Sequence, residues 1–187
     1  AETILFLFGK LKSLNDYTNT LKHLPIKTSD LDFYRVDFDE KTYLQLLGIA
    51  SLNSSGYVRE KAVKELARLK NADGLKFILL RLGDWVAAVR KAATEAIFSF
   101  LENTYIDHLL KQLPTINWLL KVERVDLSEV HNRIIHFILS QEFSEEFFGK
   151  IKRLDGKTRL RFYKAFLSNK LPSRELLNRL IRDKNFL

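Results

Sequence analysis

The chain has no cysteine and no methionine, and it has only 7 Gly and 3 Pro among 187 residues. The absence of Cys excludes a disulfide framework, a thiolate nucleophile and a Cys-ligated metal site. Glycine and proline are the residues that interrupt helices most strongly, so their scarcity favours an all-helical chain. A chain without Cys is compatible with a reducing compartment, and we expect a cytoplasmic location.

Long apolar runs are also missing. A membrane-spanning helix needs about 20 consecutive apolar residues, and the opening segment offers only a five-residue run at 4–8. That run is too short for the core of a signal peptide, and we expect no membrane insertion. Because an initiator Met is absent as well, we interpret this as a processed or excised chain, which allows a larger parent protein.

The net charge of +8 is concentrated at one end of the chain. Residues 150–187 hold 12 Lys and Arg against 3 Asp and Glu, which leaves 19 basic and 20 acidic residues in 1–149. A one-sided positive field attracts polyanions or an acidic protein surface.

A segment of the sequence recurs after 31 residues, and the recurrence covers two helices and the turn between them. The pairs are Leu44 with Leu75, Leu46 with Phe77, Leu47 with Ile78, Asn53 with Asp84, Val58-Arg59 with Val89-Arg90, Ala62 with Ala93, and Leu66 with Ile97. Each unit is a helical hairpin whose apolar face is too broad to bury alone. Stacking of such hairpins buries one continuous core, which is the logic of a solenoid.

The repeated pattern resembles the HEAT-repeat family. One copy carries it on Leu82, Asp84, Val89, Arg90, Ala92, Ala93, Ala96 and Ile97, and the other on Asn53, Val58, Arg59, Ala62 and Leu66. The resemblance is good over 44–101, weaker to about 168, and absent before 40. It implies a right-handed α-α superhelix in which Arg59, Arg90 and Asp84 connect adjacent repeats. It specifies architecture far better than activity.

We therefore expect a single all-α HEAT-like domain over 1–187, with about four hairpins and an N-terminal capping helix. Residues 1–40 would form the cap and a linker, 41–101 two regular repeats, and 102–187 less regular, basic repeats. Helices are predicted at 2–24, 104–113, 130–139, 143–153 and 158–167, with a final one from Pro172, and 114–126 is an insert. In the helix at 158–167, Phe162, Tyr163 and Phe166 are interpreted as core rather than as base-stacking residues.

The acidic segment at 26–40 is predicted to be a linker with strand-like alternation at 33–38. Its spacing lacks the Gly and the terminal Glu of an EF-hand, so calcium binding is rejected. Capping of the next helix by Asp37, with Glu40 three residues later, is the preferred explanation.

The second helices of the hairpins would line the concave face, a placement that the resemblance implies. Positions opposite their apolar stripe are mostly basic or small and polar, and they would share one exposed face. The candidate partner-binding residues are Lys61, Lys64, Arg68, Arg133, His136, Lys157, Arg161 and Lys164. Such a face suits an acidic peptide or a nucleic-acid backbone. The other interpretation is that these side chains only keep the outer surface of the repeats polar.

Nothing in the sequence indicates catalysis. The four His residues form no metal-binding motif, and neither a nucleophile elbow nor a phosphate-binding loop is present. We expect a non-catalytic scaffold that binds a protein or an acidic peptide, with no cofactor and with Trp85 as a candidate apolar anchor. The alternative is nucleic-acid binding, including the activity of the HEAT-like DNA glycosylases for alkylated bases. For that activity Trp85, Trp118 and Asp126 would be the conceivable counterparts of the groove residues.

Overall fold

The computed structural model describes residues 22–140 and 145–169, and within these ranges the chain is helical with no β-strand. The helices are α1 (Thr28–Asp37), α2 (Glu40–Ala50), α3 (Gly56–Leu69), α4 (Leu75–Arg81), α5 (Ala87–Ser99), α6 (Ile106–Lys111), α7 (Leu113–Trp118), α8 (Ser128–Leu139), α9 (Glu145–Lys152) and α10 (Gly156–Asn169). Short 3₁₀ turns at Ala72–Gly74, Asn103–Tyr105 and Leu119–Lys121 extend three of the connections. The prediction of an all-α chain is confirmed for the described residues.

The chain divides into two compact units. Unit 1 comprises the described residues up to Phe100 together with Val122–Val125, and unit 2 comprises Leu101–Lys121 and the described residues from Asp126 onward. Among these residues no helix is long and apolar enough to cross a lipid bilayer.

In unit 1 the two sequence repeats form two helix pairs that pack on each other. Helix α2 packs against α3, α4 packs against α5, and α3 packs against α5. The residues that match across the 31-residue offset are buried in both copies, as the apolar stripe predicted; these are Val58 and Val89, Ala62 and Ala93, and Leu66 and Ile97. Small side chains at Ala62 and Ala93 allow the two helices to approach closely. Helix α1 lies against α2 and α3.

In unit 2 the contacts centre on α8, which touches α6, α7 and α10, while α9 touches α6. The core includes Ile134 and Ile138 of α8 and Phe162 and Tyr163 of α10, all at most 4% exposed. The interpretation of Phe162 and Tyr163 as core residues is therefore confirmed. The rings of Phe147 and Phe162 lie 6.3 Å apart, so α9 and α10 share this aromatic cluster.

The interpretation of 26–40 as a linker with strand-like alternation is wrong, because Thr28–Asp37 is the helix α1. Leu31 is fully buried, and the Tyr34 and Phe38 rings pack edge to face 6.1 Å apart, which is helical rather than strand spacing. The Asp30 carboxylate accepts a hydrogen bond from the Lys27 amide at 2.8 Å and so satisfies a free donor of the first turn.

The cap of α2 is Asp39 and not Asp37. The Asp39 carboxylate accepts hydrogen bonds from the Thr42 amide at 3.1 Å and from the Thr42 hydroxyl at 2.7 Å. These bonds lower the pKa of Asp39, since they favour its charged form. Asp30 and Asp39 thus act at helix ends.

The remaining helix predictions agree with the structure in place and type. The insert at 114–126 contains most of α7 and a 3₁₀ turn, and the next helix begins at Ser128. The predicted helices at 104–113, 130–139, 143–153 and 158–167 correspond to α6 with its preceding 3₁₀ turn, α8, α9 and α10. Nearly all of the predicted helix at 2–24 and all of the one from Pro172 lie outside the described residues, as does the side chain of Phe166.

Candidate functional site

A buried ion pair joins the second repeat to the first. Arg59 Nε and Nη2 donate to the two Asp84 carboxylate oxygens at 2.8 and 2.7 Å, and Arg81 Nη1 also donates to Asp84 at 3.1 Å. Burial alone would raise the pKa of Asp84, but the hydrogen bonds from Arg59 and the Val86 amide and the two positive charges outweigh it and lower that pKa. These residues are occupied inside unit 1 and are not available to a ligand.

The arginine at the start of each second helix repeats its contacts as well as its position. Arg59 Nη1 donates to the carbonyls of Asn53 and Ser54 at 2.9 and 2.8 Å. Arg90 Nη1 donates to the carbonyls of Asp84 and Trp85 at 2.9 and 3.1 Å. The same turn carbonyls, 31 residues apart, are thus satisfied in the same way within each repeat. Arg59 and Asp84 connect the two repeats as expected, whereas the Arg90 contacts described here lie within its own repeat.

The three candidate cations of α3 each form an ion pair with a carboxylate of unit 1. Lys61 Nζ lies 2.6 Å from Asp32 on α1. Lys64 Nζ lies 2.6 Å from Glu60, one turn earlier on α3. The Arg68 guanidinium lies 2.7 Å from Glu65. Because a carboxylate neutralises each of these positive charges, the α3 part of the predicted basic face has no net charge to attract an anion.

The carboxylates in these pairs have further contacts that hold them in place. Glu65 also accepts a hydrogen bond from the Tyr43 hydroxyl at 3.0 Å, which connects α2 to α3. Burial and the neighbouring Glu65 raise the pKa of Tyr43. The hydrogen bond from Lys61 lowers the pKa of Asp32. The α3 cations are therefore part of a surface network on unit 1.

The other five candidates lie in unit 2, on the adjacent helices α8 and α10, and all five are exposed. Arg133 and His136 are on α8. Lys157, Arg161 and Lys164 follow each other on α10 at spacings of four and three, so they share one face of the helix. Lys157 and Arg161 have no ion pair with any described residue. Lys157 and Arg161 are therefore the candidates that no described carboxylate neutralises.

Several large apolar side chains are exposed at the amino-terminal ends of α3 and α5, and sequence reasoning identified only one of them. Trp85 is 78% exposed and Tyr57 81% exposed, and Val86 is partly exposed beside Trp85. The Arg124 guanidinium lies over the Trp85 ring, 4.1 Å from its centroid. Tyr57 could have been found from the sequence, because it falls outside the buried stripe that begins at Val58.

The described part of the chain contains no group of three or more His, Asp or Glu side chains that could hold a metal ion. His131 is buried, with Nε2 3.3 Å from Asn117 Oδ1 and Nδ1 3.3 Å from Asn132 Oδ1. Burial lowers the pKa of His131, although Asn132 opposes the shift.

The residues named for a glycosylase are divided between the two units. Trp85 belongs to unit 1, whereas Trp118 and Asp126 belong to unit 2. The Asp126 carboxylate accepts a hydrogen bond from the Ser128 amide at 2.9 Å, which places it at the start of α8 as a capping group. The hydrogen bonds from Ser128 lower its pKa, since they favour the charged carboxylate.

Comparison with known proteins gives no relative from which to transfer a function: no protein-family model, no curated protein and no solved structure matches this chain.

Proposed function

We propose that this protein is a non-catalytic scaffold of the HEAT-like α-solenoid type that binds an acidic segment of a partner protein. The observation that carries the proposal is the contrast between α3 and α10. The cations of α3 are each paired with a carboxylate, whereas Lys157 and Arg161 on α10 are exposed and unpaired among the described residues. An acidic segment would bind along α10, with Arg133 and His136 of α8 beside it.

The solenoid part of the proposal rests on the contacts that recur with the sequence period. Arg59 and Arg90 bind equivalent turn carbonyls, and the helices that carry them pack directly on each other. Asp84 meets the arginine of the preceding repeat, as expected for stacked hairpins. Each repeat unit thereby depends on its neighbour, which is typical of solenoids.

Charge pairing favours an acidic peptide over a nucleic-acid backbone. Nucleic-acid binding relies on many phosphate contacts, and each contact adds about 0.9 to the salt dependence of log K. Because Lys61, Lys64 and Arg68 are each paired with a carboxylate, three cations of the predicted basic face are not available to a nucleic-acid backbone that would follow it across the repeats. A short acidic segment needs only a few cations on neighbouring turns, and α10 supplies them.

The proposal is tested by fluorescence anisotropy with a labelled peptide of alternating Glu and Ala, and in parallel with a labelled mixed-sequence DNA duplex. We expect Lys157→Glu/Arg161→Glu to abolish peptide binding. The matched control Lys61→Glu/Lys64→Glu makes the same change of charge on α3 and should leave peptide binding within about twofold, about 0.4 kcal/mol. Circular dichroism verifies that both variants are folded.

Two results would contradict the proposal. Equal loss of binding in both variants would mean that the probe responds to overall charge rather than to α10. Tighter binding of the duplex than of the peptide at 0.15 M salt, with a steep salt dependence, would establish the nucleic-acid alternative, and a glycosylase assay would then follow.

A further inference from the structure

Unit 1 carries two exposed surfaces, each of which combines apolar side chains with charged ones. One surface is positively charged and the other is negatively charged. The first, the Trp85 surface, consists of Tyr57, Trp85, Val86 and Arg124. The second, the α1 surface, consists of Asp32, Phe33, Val36 and Asp37. Neither is used in the function proposed above, which concerns α8 and α10.

The members of the Trp85 surface lie together because two helices begin there side by side. A Cβ atom on Gly56 would lie 3.0 Å from Val86 Cγ2, so the start of α3 touches the residue that precedes α5. Tyr57 and Trp85 are the chain neighbours of these two residues. The Asp84–Arg59 pair fixes the same junction from within. Rigid, exposed aromatic side chains of this kind are the usual anchors of protein interfaces.

The charge of the Trp85 surface and its surroundings is positive. Residues 81–91 and 122–125 contain four basic and two acidic residues. Asp84 is paired with Arg59 and with Arg81, which leaves Arg90, Lys91 and Arg124 against Glu123. Arg124 is held over the Trp85 ring and by a hydrogen bond from Nη1 to the Gly83 carbonyl at 3.2 Å. A ligand for this surface would therefore present an apolar group flanked by carboxylates.

The α1 surface of the same chain has that chemistry. Phe33 is 64% exposed and Val36 79% exposed, and they are three residues apart, so they point outward from the same side of the helix. Residues 28–40 contain five acidic residues and one basic residue. Asp32 is paired with Lys61 of α3, and the segment keeps a negative charge after that pair is counted. Leu31 occupies the opposite, buried side, so the exposure of Phe33 and Val36 is not needed for packing within unit 1.

We propose that the α1 surface of one copy docks on the Trp85 surface of a second copy, so that the protein associates head to tail. The contact is heterologous, because two different surfaces meet, and each added copy leaves one of each surface open. Association then continues with concentration instead of stopping at a dimer. Each surface is small, so the contact is weak and reversible.

Sedimentation of the full chain at concentrations from about 10 μM to about 1 mM tests the proposal. Complexes held together by a small contact are expected to form within this concentration range. The α1 variant is Phe33→Lys/Val36→Lys and the Trp85 variant is Tyr57→Glu/Trp85→Glu, both at exposed positions. Leu120→Lys is the matched control, because Leu120 is 56% exposed but belongs to unit 2.

We expect the average mass of the wild-type protein and of the Leu120→Lys variant to rise continuously with concentration. Each surface variant alone stays monomeric. A 1:1 mixture of the two variants forms a dimer and nothing larger, because only one intact pair of surfaces remains.

The proposal is overturned if the wild-type protein is monomeric throughout, which would mean that another segment, such as residues 1–21, or a foreign partner covers these surfaces. It is also overturned if either variant associates as the wild type does, or if the mixture stays monomeric. Because the surface substitutions lie in unit 1 and none of the substitutions lies on α8 or α10, these outcomes are separate from those of the peptide-binding test.

Discussion

The guanidinium of Arg59 meets the carboxylate of Asp84 through two hydrogen bonds, 2.8 and 2.7 Å long, across 25 residues of sequence. Both side chains are at most 9% exposed, so the pair is shielded from water and from salt. Two-point contact of this kind fixes the orientation of both groups. The pair thereby sets how the amino-terminal ends of α3 and α5 lie against each other.

Loss of the Asp84 carboxylate should destabilise unit 1 strongly. Asp84→Ala leaves the buried Arg59 and the partly buried Arg81 without their counter-ion. Removal of one partner of such a buried pair costs about 3–5 kcal/mol. Lys64→Ala is the control, because it breaks an exposed pair within α3 worth less than about 0.5 kcal/mol. Urea unfolding followed by circular dichroism compares the two. A similar, small loss in both would show that the buried pair contributes no more than a surface contact.

The same pair predicts how stability responds to acid. The pKa of Asp84 is lowered in the folded protein, so its contribution is fully present above the unfolded value of about 3.9. That contribution is lost as the pH falls through the lower, folded pKa, because protonation breaks the ion pair. We expect wild-type melting temperatures to drop steeply below pH 4, and the drop to be shallower in Asp84→Asn. Parallel curves for the two proteins would assign the acid sensitivity to other carboxylates.

A close helix contact predicts that Gly48 tolerates no side chain. A Cβ atom at this position would lie 2.4 Å from two ring carbons of Phe77, which is itself buried in α4. Gly48→Ala should destabilise the protein by about 1–3 kcal/mol, since the ring or the helix must move. At Gly149 in α9 a Cβ atom would meet nothing within 4 Å. There Gly→Ala should stabilise by about 0.5–1 kcal/mol, and thermal melts of the two variants should therefore shift in opposite directions.

His131 predicts a second pH response, at milder acidity and in unit 2. Burial lowers its pKa, so the folded state favours the neutral ring. Its stabilising contribution is present above the unfolded pKa of about 6.5 and is lost as the pH falls through the folded value. The His131→Gln variant should lose less stability than the wild type as the pH falls below about 6.5. Urea midpoints measured across this range provide the comparison, and equal losses would rule out His131 as the cause.

Periodicity predicted the helices of the two repeats, α2 to α5, well because both copies bury the same positions. Val58 and Val89 or Leu66 and Ile97 are apolar for the same local reason, and each lies in the core. The prediction for 26–40 was wrong because Phe33 and Val36 are apolar but exposed, so the apolar residues of this segment do not all mark its buried side. The signal that was missed is the spacing of Leu31, Tyr34 and Phe38 on one side of a helix.

The sequence by itself determined the helical class, the 31-residue period and the buried stripe of each repeat, because these depend on residues close along the chain. Only the tertiary structure decided which charges remain available. Lys61 is neutralised by Asp32, 29 residues earlier, and Tyr57 and Trp85 come together only because two helices begin side by side. Coulomb attraction and surface exposure depend on distance in space, and for residues on different helices that distance is set by packing.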